Sequence, residues 1–476
     1  MQESATSHEP SLKSIDHRTA RILIDPSNGE SLGPVYLVDK SEVESIVCGA
    51  RGALGSWAAL SGFNRARVID AIADAWEKNA DEISLAVTHE MGMPLEHSCF
   101  HNAAGPIAVL RYYAGLAREM ERESSRNPFA FSGRVIVRRI PVGVVAAVVP
   151  WNYPWMLLAT KLGPALAAGC TVIVKPAEEN AISAEILREI LRSAGVPDGV
   201  VTVAVGGSDF AETLIRNNGV DKVSFTGSTE VGRKISGIVG ERLGQVSLEL
   251  GGKSAAIVLD DADLEHTLNM LPHLSFLNSG QTCFAQTRIV ATPGVYEQIV
   301  QGFMDYVDAQ VVGSPLDAHT TVGPVASEHQ KKRVLEYVRL GDEAGAHVHT
   351  STAQIPSSGF FVPPTVLSNV RNDWAVAQEE IFGPVVCIIA AEDEADAIRI
   401  ANDSEYGLAG SIWTSDIQKA VLISKEIEAG SFGINGYLPD LSAPWGGIKS
   451  SGTGRENGPE AIDSYLRSDV VYEFAT

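Results

Sequence analysis

Three polar residues at predicted turns or strand ends have the chemistry to attack and hydrolyse a carbonyl group. Cys283 follows an Asn-Ser-Gly turn in NSGQTCFAQ, and a thiol at a loop or helix start there would be favoured as thiolate by backbone N–H groups and the helix dipole. Glu249 ends a predicted strand in VSLELGGK, and its carboxylate suits it to activate water. Asn152 in VVPWNYP carries two N–H donors for an oxyanion. Taken singly, each residue also fits a purely structural role. Cys283 could be a buried, inert thiol, Glu249 a salt-bridged or helix-capping acid, and Asn152 part of an Asx turn.

Two further segments carry features that suit a nucleotide. Lys175 and Glu178 lie in IVKPAEEN, where the lysine can meet ribose hydroxyls or phosphate. The glutamate can accept hydrogen bonds from a ribose 2′,3′-diol and would repel a 2′-phosphate. In FTGSTEVGRKI, Gly227 lets the backbone approach a ligand, and a helix starting near Ser228 offers N–H groups to a pyrophosphate. This is not the G-x-G-x-x-G pattern, and alone it is a weak signal.

A later segment, QEEIFGP, has the composition of a second nucleotide contact. Glu380 can accept hydrogen bonds from the second ribose, that of a nicotinamide, and Phe382 can contact the nicotinamide ring. Taken singly, these two residues are more simply explained by an ordinary structural turn.

These residues must be positioned by an alternation of short β-branched runs and helical stretches that begins at Gly143. Such alternation predicts a parallel sheet covered on both faces, with ligands bound at the carboxyl ends of its strands. The predicted strands are Val144–Val149, Thr171–Val174, Val200–Val205, Lys222–Phe225 and Val246–Leu250. The predicted helices are Trp155–Ala168, Ala181–Ala194, Ser208–Asn217 and Thr229–Val239.

The rest of the chain extends this α/β organisation. Residues 1–18 are polar and are expected to form a flexible arm, and the segment between about 40 and 120 has helical spacing. A helix is expected at Leu264–Leu277, just before Cys283, and an exposed strand pair near Phe129–Ile140. A second α/β region runs to about residue 449, and DSYLRSDVVYEF predicts a final strand.

Charge and cysteine usage narrow the class of protein. The formal net charge is −22, which argues against nucleic acid or an anionic membrane as the main partner. The five cysteines are widely spaced without C-x-x-C, which is typical of free thiols in a reducing compartment and predicts neither disulfides nor a metal site. The N-terminus has no apolar signal-peptide core, so we expect a cytoplasmic protein.

Seven motifs together resemble the aldehyde dehydrogenase superfamily. In order, from Pro150 to Glu456, they are PWNYP, KPAE, FTGS, LELGGK, GQTC, EEIFGP and PWGGIKSSGTGRE. The resemblance implies an α/β fold with a Rossmann-like cofactor domain, an α/β catalytic domain and a small β oligomerisation extension. It assigns 19–123 and 142–251 to NAD(P) binding, 252–450 to the catalytic domain, and 124–141 and 451–476 to the extension that pairs subunits into a homodimer or homotetramer.

The resemblance also implies roles for individual residues. Cys283 corresponds to the nucleophile, Glu249 to the base for the deacylating water, and Asn152 to the oxyanion donor, helped by the backbone N–H of Cys283. Lys175 belongs to this catalytic set and, with Glu178, to the adenosine ribose site. The other implied cofactor contacts are Trp151, Gly227, Ser228, Leu250, Gln330, Glu380 and Phe382. The implied substrate funnel is Tyr153, Met156, Leu157, Thr160, Thr282, Phe284 and Trp445.

The activity implied is oxidation of an aldehyde to an acid with NAD, NADP being possible, through a thiohemiacetal and a thioester on Cys283. Thr160 falls where many members carry a bulky aromatic residue, which is expected to widen the funnel. The lining is apolar and without an evident arginine, which favours a medium-sized apolar or aromatic aldehyde. No metal is expected.

Three alternatives remain open at this point. An enzyme that passes the acyl group to coenzyme A is disfavoured by Glu249, because a hydrolytic base would compete with the acceptor thiol. A cysteine esterase or hydrolase would need a partnered histidine, and the nearest upstream ones, His266 and His273, lie in a helical stretch. A non-catalytic structural protein is disfavoured by the presence of Cys283, Glu249 and Asn152 together.

Overall fold

The computed structural model describes residues 19–475, and the arm expected at residues 1–18 lies outside the described residues. The strands are β1 Ala20–Ile24, β2 Ser31–Tyr36, β3 Glu123–Arg126, β4 Gly133–Pro141, β5 Val144–Val148, β6 Thr171–Lys175, β7 Val201–Val203, β8 Lys222–Thr226, β9 Gln245–Glu249, β10 Ala255–Val258, β11 Arg288–Ala291, β12 His347–Thr350, β13 Thr365–Ser368, β14 Val385–Ala390, β15 Tyr406–Gly407, β16 Gly410–Trp413, β17 Gly433–Ile434, β18 Ile448–Lys449, β19 Gly452–Thr453 and β20 Leu466–Phe474.

The α-helices are α1 Val43–Ala59, α2 Gly62–Lys78, α3 Ala80–Met91, α4 Leu95–Ser98, α5 Gly105–Glu119, α6 Pro154–Ala168, α7 Ala181–Ser193, α8 Ser208–Arg216, α9 Thr229–Glu241, α10 Leu264–Phe276, α11 Tyr296–Asp308, α12 Glu328–Ala344, α13 Ala375–Gln378, α14 Glu394–Asn402, α15 Ile417–Ile423 and α16 Glu460–Asp463. A π-helical segment spans Cys99–Ala104, and 3-10 turns span Lys40–Glu42, Glu178–Asn180 and Leu277–Gly280. None of the helices within residues 19–475 has both the length and the apolarity needed to cross a bilayer.

The first large sheet has six strands in the order β19-β9-β8-β5-β6-β7. Strands β5 to β9 pair in parallel, as their continuous apolar runs predict. The five predicted strands and four predicted helices match the observed bounds to within two residues at each end. Apolar side chains of α2, α5, α6 and α7 pack on one face, and those of α1, α8 and α9 pack on the other.

The second large sheet has seven strands in the order β12-β13-β14-β11-β10-β16-β17. Its strands pair in parallel except for β12, which is antiparallel to β13. Two apolar clusters cover its faces, one of them formed with α10 and α11. The α/β fold class with parallel sheets is therefore confirmed.

A three-stranded antiparallel sheet, β20-β4-β3, forms the third unit. Strand β20 pairs along its whole length with β4, from Leu466 opposite Pro141 to Phe474 opposite Gly133. The strand pair was expected near Phe129–Ile140, but only the second part of this segment, β4, forms a strand. Phe129 is fully exposed in the connection that precedes β4. The pair instead uses the polar segment β3, whose pattern of charged and serine residues is not typical of a strand.

Two elements differ from the expected division of the chain. Strand β19 lies in the segment assigned to the oligomerisation extension, yet it pairs antiparallel with β9 of the first sheet. The N-terminal hairpin β1–β2 was not predicted. The segment after this hairpin is held to the first sheet by a hydrogen bond from the Val38 N–H to the Val205 carbonyl, 2.7 Å long.

Candidate active site

A cleft of about 440 Å³ lies at the carboxyl ends of strands β5, β8 and β9. This is the edge at which a parallel sheet of this kind binds ligands. The residues that line it are Pro150, Trp151, Asn152, Thr226, Gly227, Ser228, Thr229, Glu230, Leu250, Gly251, Cys283, Gln330, Arg333, Glu380, Phe382 and Tyr406. The structure thus brings Cys283 and Asn152 together with seven of the nine predicted cofactor contacts.

Cys283 reaches this cleft through a tight turn that requires a glycine. The backbone of Gly280 has φ +75°, and a Cβ atom there would lie 2.0 Å from the carbonyl oxygen of Gly383. The two preceding residues, Asn278 and Ser279, also have positive φ, which costs conformational energy for non-glycine residues. The thiol at the end of this turn is half-buried and lines the cleft.

The pKa of the Cys283 thiol is raised by burial, and the nearby charges of Glu380 and Glu249 add to the rise. The expected assistance from a helix dipole is absent, because α10 ends at Phe276 and Cys283 lies in the loop before β11. The backbone N–H groups of Phe284 and of Cys283 itself act in favour of the thiolate, but they do not offset burial. Thiolate formation at neutral pH therefore needs a base or a cation in the cleft.

Asn152 is tied to the loop that carries the thiol. Its Nδ2 atom donates to the backbone carbonyl of Gln281 at 2.9 Å, and the backbone carbonyl of Asn152 accepts from Nδ2 of Asn278 at 3.2 Å. An asparagine amide has two N–H groups, so one donor remains beyond the bond to Gln281. Asn152 is buried and lines the cleft, so this donor can serve an oxyanion formed at Cys283.

Glu249 is buried at the end of β9, and neither of its carboxylate oxygens has a side-chain hydrogen-bond partner among the described residues. Burial raises its pKa well above the ordinary value, and the charge of Glu456 raises it further. The charge of Lys161 and the backbone N–H of Gly447 act in the opposite direction. A carboxylate whose pKa is raised, and whose oxygens make no close hydrogen bond even though the N–H of Gly447 lies near, has the properties of a general base.

A buried polar network near Glu249 was not predicted from the sequence. Lys161, which is fully buried in α6, donates to Oγ1 of Thr226 at 2.7 Å and forms an ion pair with Glu456. A lone lysine in the otherwise apolar helix PWMLLATKLGPALAA was the signal that could have indicated it. Thr160 belongs to this network, because its hydroxyl donates to Glu456 at 3.0 Å. That placement differs from the expected position in the substrate funnel.

Glu380 is a second buried carboxylate near the thiol. Its pKa is raised to about 7 by burial, while the backbone N–H of Gly252 lowers it. That N–H donates to Oε1 of Glu380 at 3.0 Å. A Cβ atom at Gly251 would lie 2.5 Å from the other oxygen, so Glu380 rests directly against this glycine and a larger residue there would displace the carboxylate.

The cleft has the groups that a nicotinamide dinucleotide requires. The N-terminus of α9 opens into it, with Ser228 as the capping residue, which suits a pyrophosphate. The rings of Trp151 and Phe382 meet edge to face, with their centroids 5.5 Å apart, and form an apolar part of the cleft wall. Arg333 also lines the cleft, a cation that sequence analysis did not single out.

The two remaining cofactor predictions lie at the end of β6 and outside the residues that line this cleft. Burial lowers the pKa of Lys175, while the charge of Glu178 opposes that change. Glu178 lies in a 3-10 turn and is paired with Arg21 of the N-terminal hairpin.

On the substrate side, aromatic rings gather around the thiol loop. The ring of Phe284 lies 5.7 Å from that of Tyr437 and 6.4 Å from that of Trp445, and Nε1 of Trp445 donates to the Tyr437 hydroxyl at 2.9 Å. Trp445 and Tyr437 line a cavity of about 290 Å³. Tyr437 was not predicted from the sequence. Burial raises the pKa of its hydroxyl group to about 12, and the charge of Cys283 contributes to that rise.

The other predicted funnel residues lie on the α6 side of the thiol loop. The hydroxyl groups of Tyr153 and Thr282 are 2.6 Å apart. Met156 and Leu157 pack into the core beneath the first sheet. Within residues 19–475, no three His, Cys, Asp or Glu side chains come together as metal ligands do.

Comparison with known proteins gives one consistent result. A model of the aldehyde dehydrogenase family matches residues 14–471. Geranial dehydrogenase of Castellaniella defragrans is 44% identical over 452 residues, which cover 94% of each chain. The solved structure of a Mycobacterium tuberculosis aldehyde dehydrogenase complexed with NAD⁺ has 40% identity, a TM-score of 0.91 and 94% coverage of both chains. An NAD⁺ complex of a Bacillus cereus aldehyde dehydrogenase has 33% identity and a TM-score of 0.92, covering 95% of this chain and 93% of that one.

Proposed function

This chain belongs to the aldehyde dehydrogenase family and oxidises aldehydes with NAD(P)⁺, and from that premise we propose that it does so through a thioester on Cys283. The observation that carries the proposal is the position of the thiol. Cys283 lies in the wall of the nucleotide cleft beside Asn152, close enough to Glu249 and Glu380 for their charges to raise its pKa.

In the first step, the Cys283 sulfur forms a bond to the aldehyde carbon, and the carbonyl oxygen becomes an oxyanion. The thiol proton passes to Glu249, whose free oxygens and raised pKa make it the better acceptor of the two nearby carboxylates. The remaining N–H of Asn152 and the backbone N–H of Cys283 hold the oxyanion, and donors of this kind are worth about 3 kcal/mol in known enzymes.

Oxidation then converts the thiohemiacetal into a thioester. The nicotinamide ring, when bound, supplies the two-electron oxidation by accepting the hydride from the substrate carbon. Trp151 and Phe382, whose rings contact each other in the cleft wall, would pack against that ring, and Glu380 would hold its ribose. The carbonyl double bond re-forms as the hydride leaves.

Hydrolysis completes the cycle. Glu249 first releases the thiol proton to solvent and is again a carboxylate. It then takes a proton from water, the resulting hydroxide attacks the thioester carbon, and the carbon–sulfur bond breaks to release the acid and the Cys283 thiolate. The Lys161–Glu456 pair lies beside Glu249 and provides a buried path for the exchange of protons. Release to water and not to coenzyme A follows from the presence of this base.

The test is to trap the acyl group. The full-length enzyme is mixed with aldehyde and NAD⁺, quenched in acid and digested, and the mass of the Cys283 peptide is measured. We expect an acyl adduct on this peptide and none on those containing Cys48, Cys99, Cys170 or Cys387. Turnover without any sulfur-linked adduct contradicts the mechanism, and acyl transfer to added coenzyme A as the main outcome supports the acylating alternative.

For the substrate, we infer an apolar or aromatic aldehyde of medium size. Phe284, next to Cys283 in the chain, packs against the rings of Tyr437 and Trp445, which line a cavity of about 290 Å³. A relative with 44% identity is a geranial dehydrogenase. A panel with a terpenoid aldehyde, a benzaldehyde, a semialdehyde acid and a trimethylammonium aldehyde decides it by kcat/KM. The first two should be preferred, and preference for either charged aldehyde contradicts the inference.

We also propose that the sheet of β3, β4 and β20 pairs subunits into a homodimer or homotetramer. Tyr472 and Phe474 on β20 are exposed in the single chain, as expected for a surface covered by a second copy. The proposed domains remain 19–123 with 142–251, 252–450, and 124–141 with 451–476, except that β19 joins the first sheet. Light scattering after size exclusion measures the assembly, and a monomer at micromolar concentration contradicts it.

A further inference from the structure

The N-terminal hairpin places an arginine against the glutamate that we assign to the adenosine ribose. On β1, Arg21 donates through Nη1 to Glu178 and through Nη2 to Oε1 of Glu179, the latter at 2.8 Å. The Arg21 side chain is 40% exposed, so solvent and ligands can reach it. No local pattern relates these residues, which are 157 and 158 positions apart.

The other oxygen of Glu178 faces the turn that opens α8. A Cβ atom at Gly207 would lie 3.7 Å from Oε1 of Glu178 and 3.4 Å from Oδ1 of Asp209. Lys175 belongs to the same group of charges, because Glu178 and Arg21 both influence its pKa. Arg21 therefore stands at the rim of the expected ribose site, among carboxylates that would repel an added phosphate.

We propose that Arg21 admits a ribose 2′-phosphate, so that this enzyme uses NADP⁺ as well as NAD⁺. The inference rests on the proposed function and adds a specificity-determining residue to it. With NAD⁺, Glu178 accepts hydrogen bonds from the 2′,3′-diol while Arg21 stays paired with Glu178 and Glu179. With NADP⁺, the guanidinium exchanges a carboxylate for the phosphate, which its planar fork of donors matches equally well.

A competing effect acts in the opposite direction. Arg21 also holds Glu178 in place, and a fixed glutamate would favour NAD⁺ by resisting displacement. A half-exposed ion pair changes an equilibrium by roughly fivefold at most. A charge-assisted contact to phosphate changes it by roughly tenfold to a hundredfold. The contact to phosphate is the larger of the two, so the net effect of Arg21 should be to strengthen NADP⁺ binding relative to NAD⁺ binding.

The experiment measures dissociation constants for NAD⁺ and NADP⁺ without aldehyde, by calorimetry or by quenching of tryptophan fluorescence, on the full-length chain. In Arg21→Gln, the Kd for NADP⁺ should rise by roughly tenfold or more, and that for NAD⁺ by less than roughly threefold. Arg111→Gln is the matched control, because Arg111 is 42% exposed and likewise bridges two carboxylates, Asp74 and Glu77. It should change neither constant.

Two further measurements separate the possible results. Arg21→Lys keeps the charge without the fork and should have an NADP⁺ affinity between those of the wild type and Arg21→Gln. Adenosine 2′,5′-bisphosphate should lose affinity in Arg21→Gln, whereas AMP should not.

Several outcomes overturn the proposal. The first is a wild type that binds NAD⁺ but not NADP⁺. The others concern Arg21→Gln: an equal loss of affinity for both dinucleotides, no loss of affinity for either, or tighter binding of NADP⁺. The last result would assign Arg21 to fixing Glu178. A wild type that binds neither dinucleotide would instead contradict the proposed function itself.

Discussion

Two buried carboxylates lie near Cys283, and they differ in what holds them. Glu380 is fixed by the N–H of Gly252 and rests against Gly251, on the loop before β14. Glu249 ends β9 with no side-chain hydrogen bond on either oxygen among the described residues. Burial raises the pKa of both. Burial alone therefore does not define a base. The carboxylate held by a backbone N–H suits a ligand's hydroxyl groups, whereas the one without a close hydrogen bond can take a proton from water.

Cys283 lies near both carboxylates and is the proposed reacting group. Cys283→Ala should lower aldehyde oxidation by roughly 10⁴-fold or more, because removal of a nucleophile abolishes the covalent route. Dinucleotide affinity should remain within roughly threefold, since the thiol is only one of many groups that line the cleft. Initial rates and calorimetry measure these values. Cys99→Ala, at an exposed cysteine, is the control, and normal turnover in Cys283→Ala would end the proposal.

The free carboxylate should matter for hydrolysis. Glu249→Gln should slow steady-state turnover by roughly 10²- to 10³-fold, because the amide cannot accept a proton from water. A burst of NADH close to one equivalent should remain, because oxidation precedes hydrolysis. This burst should be slower than in the wild type, because Glu249 also accepts the thiol proton, but it should slow less than the steady state. Rapid-mixing absorbance measures both phases. If the burst slows as much as the steady state, Glu249 acts mainly in activating Cys283.

The tethered carboxylate should matter for cofactor binding. Glu380→Gln should weaken NAD⁺ by roughly tenfold through the loss of a charged acceptor, and hydrolysis of a preformed thioester should be little changed. Calorimetry and single-turnover kinetics separate the two effects. A loss of hydrolysis as large as that in Glu249→Gln would remove the distinction between the carboxylates.

The smallest expected effect is a shift in pH dependence. Glu249 must be deprotonated to act, so hydrolysis should rise with pH as the carboxyl passes its raised pKa. The charge of Glu456 contributes to that rise in pKa, so Glu456→Gln should move the acid limb to lower pH, by less than about one unit. The pH profile of the steady-state rate measures it, with thermal melting to verify folding. Thr160→Val, which removes only a hydroxyl from Glu456, should shift the limb less, and a shift to higher pH contradicts the assignment.

Much of the first sheet and of the cleft was predictable. The continuous apolar runs of β5 to β9 report burial on both faces, and that property is local to each strand. Because the carboxyl ends of parallel strands meet at one edge, the motifs that follow them had to converge. Asn152, Gly227 and Leu250 were therefore predictable without knowing any contact between them.

Other parts of the site were not predictable, for a physical reason. Lys161 is paired with Glu456, which lies 295 residues away in the sequence. Arg21 is paired with Glu178, which lies 157 residues away. Thr160 donates to the network under Glu249, although its position in α6 was equally compatible with the substrate funnel.

The alternation of strands and helices, the glycine before Cys283 and the edge of the sheet at which the proposed chemistry occurs all follow from local sequence patterns. The pairing of buried charges, the carboxylate that lacks a close hydrogen bond and the arginine beside the proposed ribose site depend on tertiary packing. Periodicity and turn chemistry act between neighbours in the chain. The pairing of charges depends on where distant segments pack, and no local pattern records that.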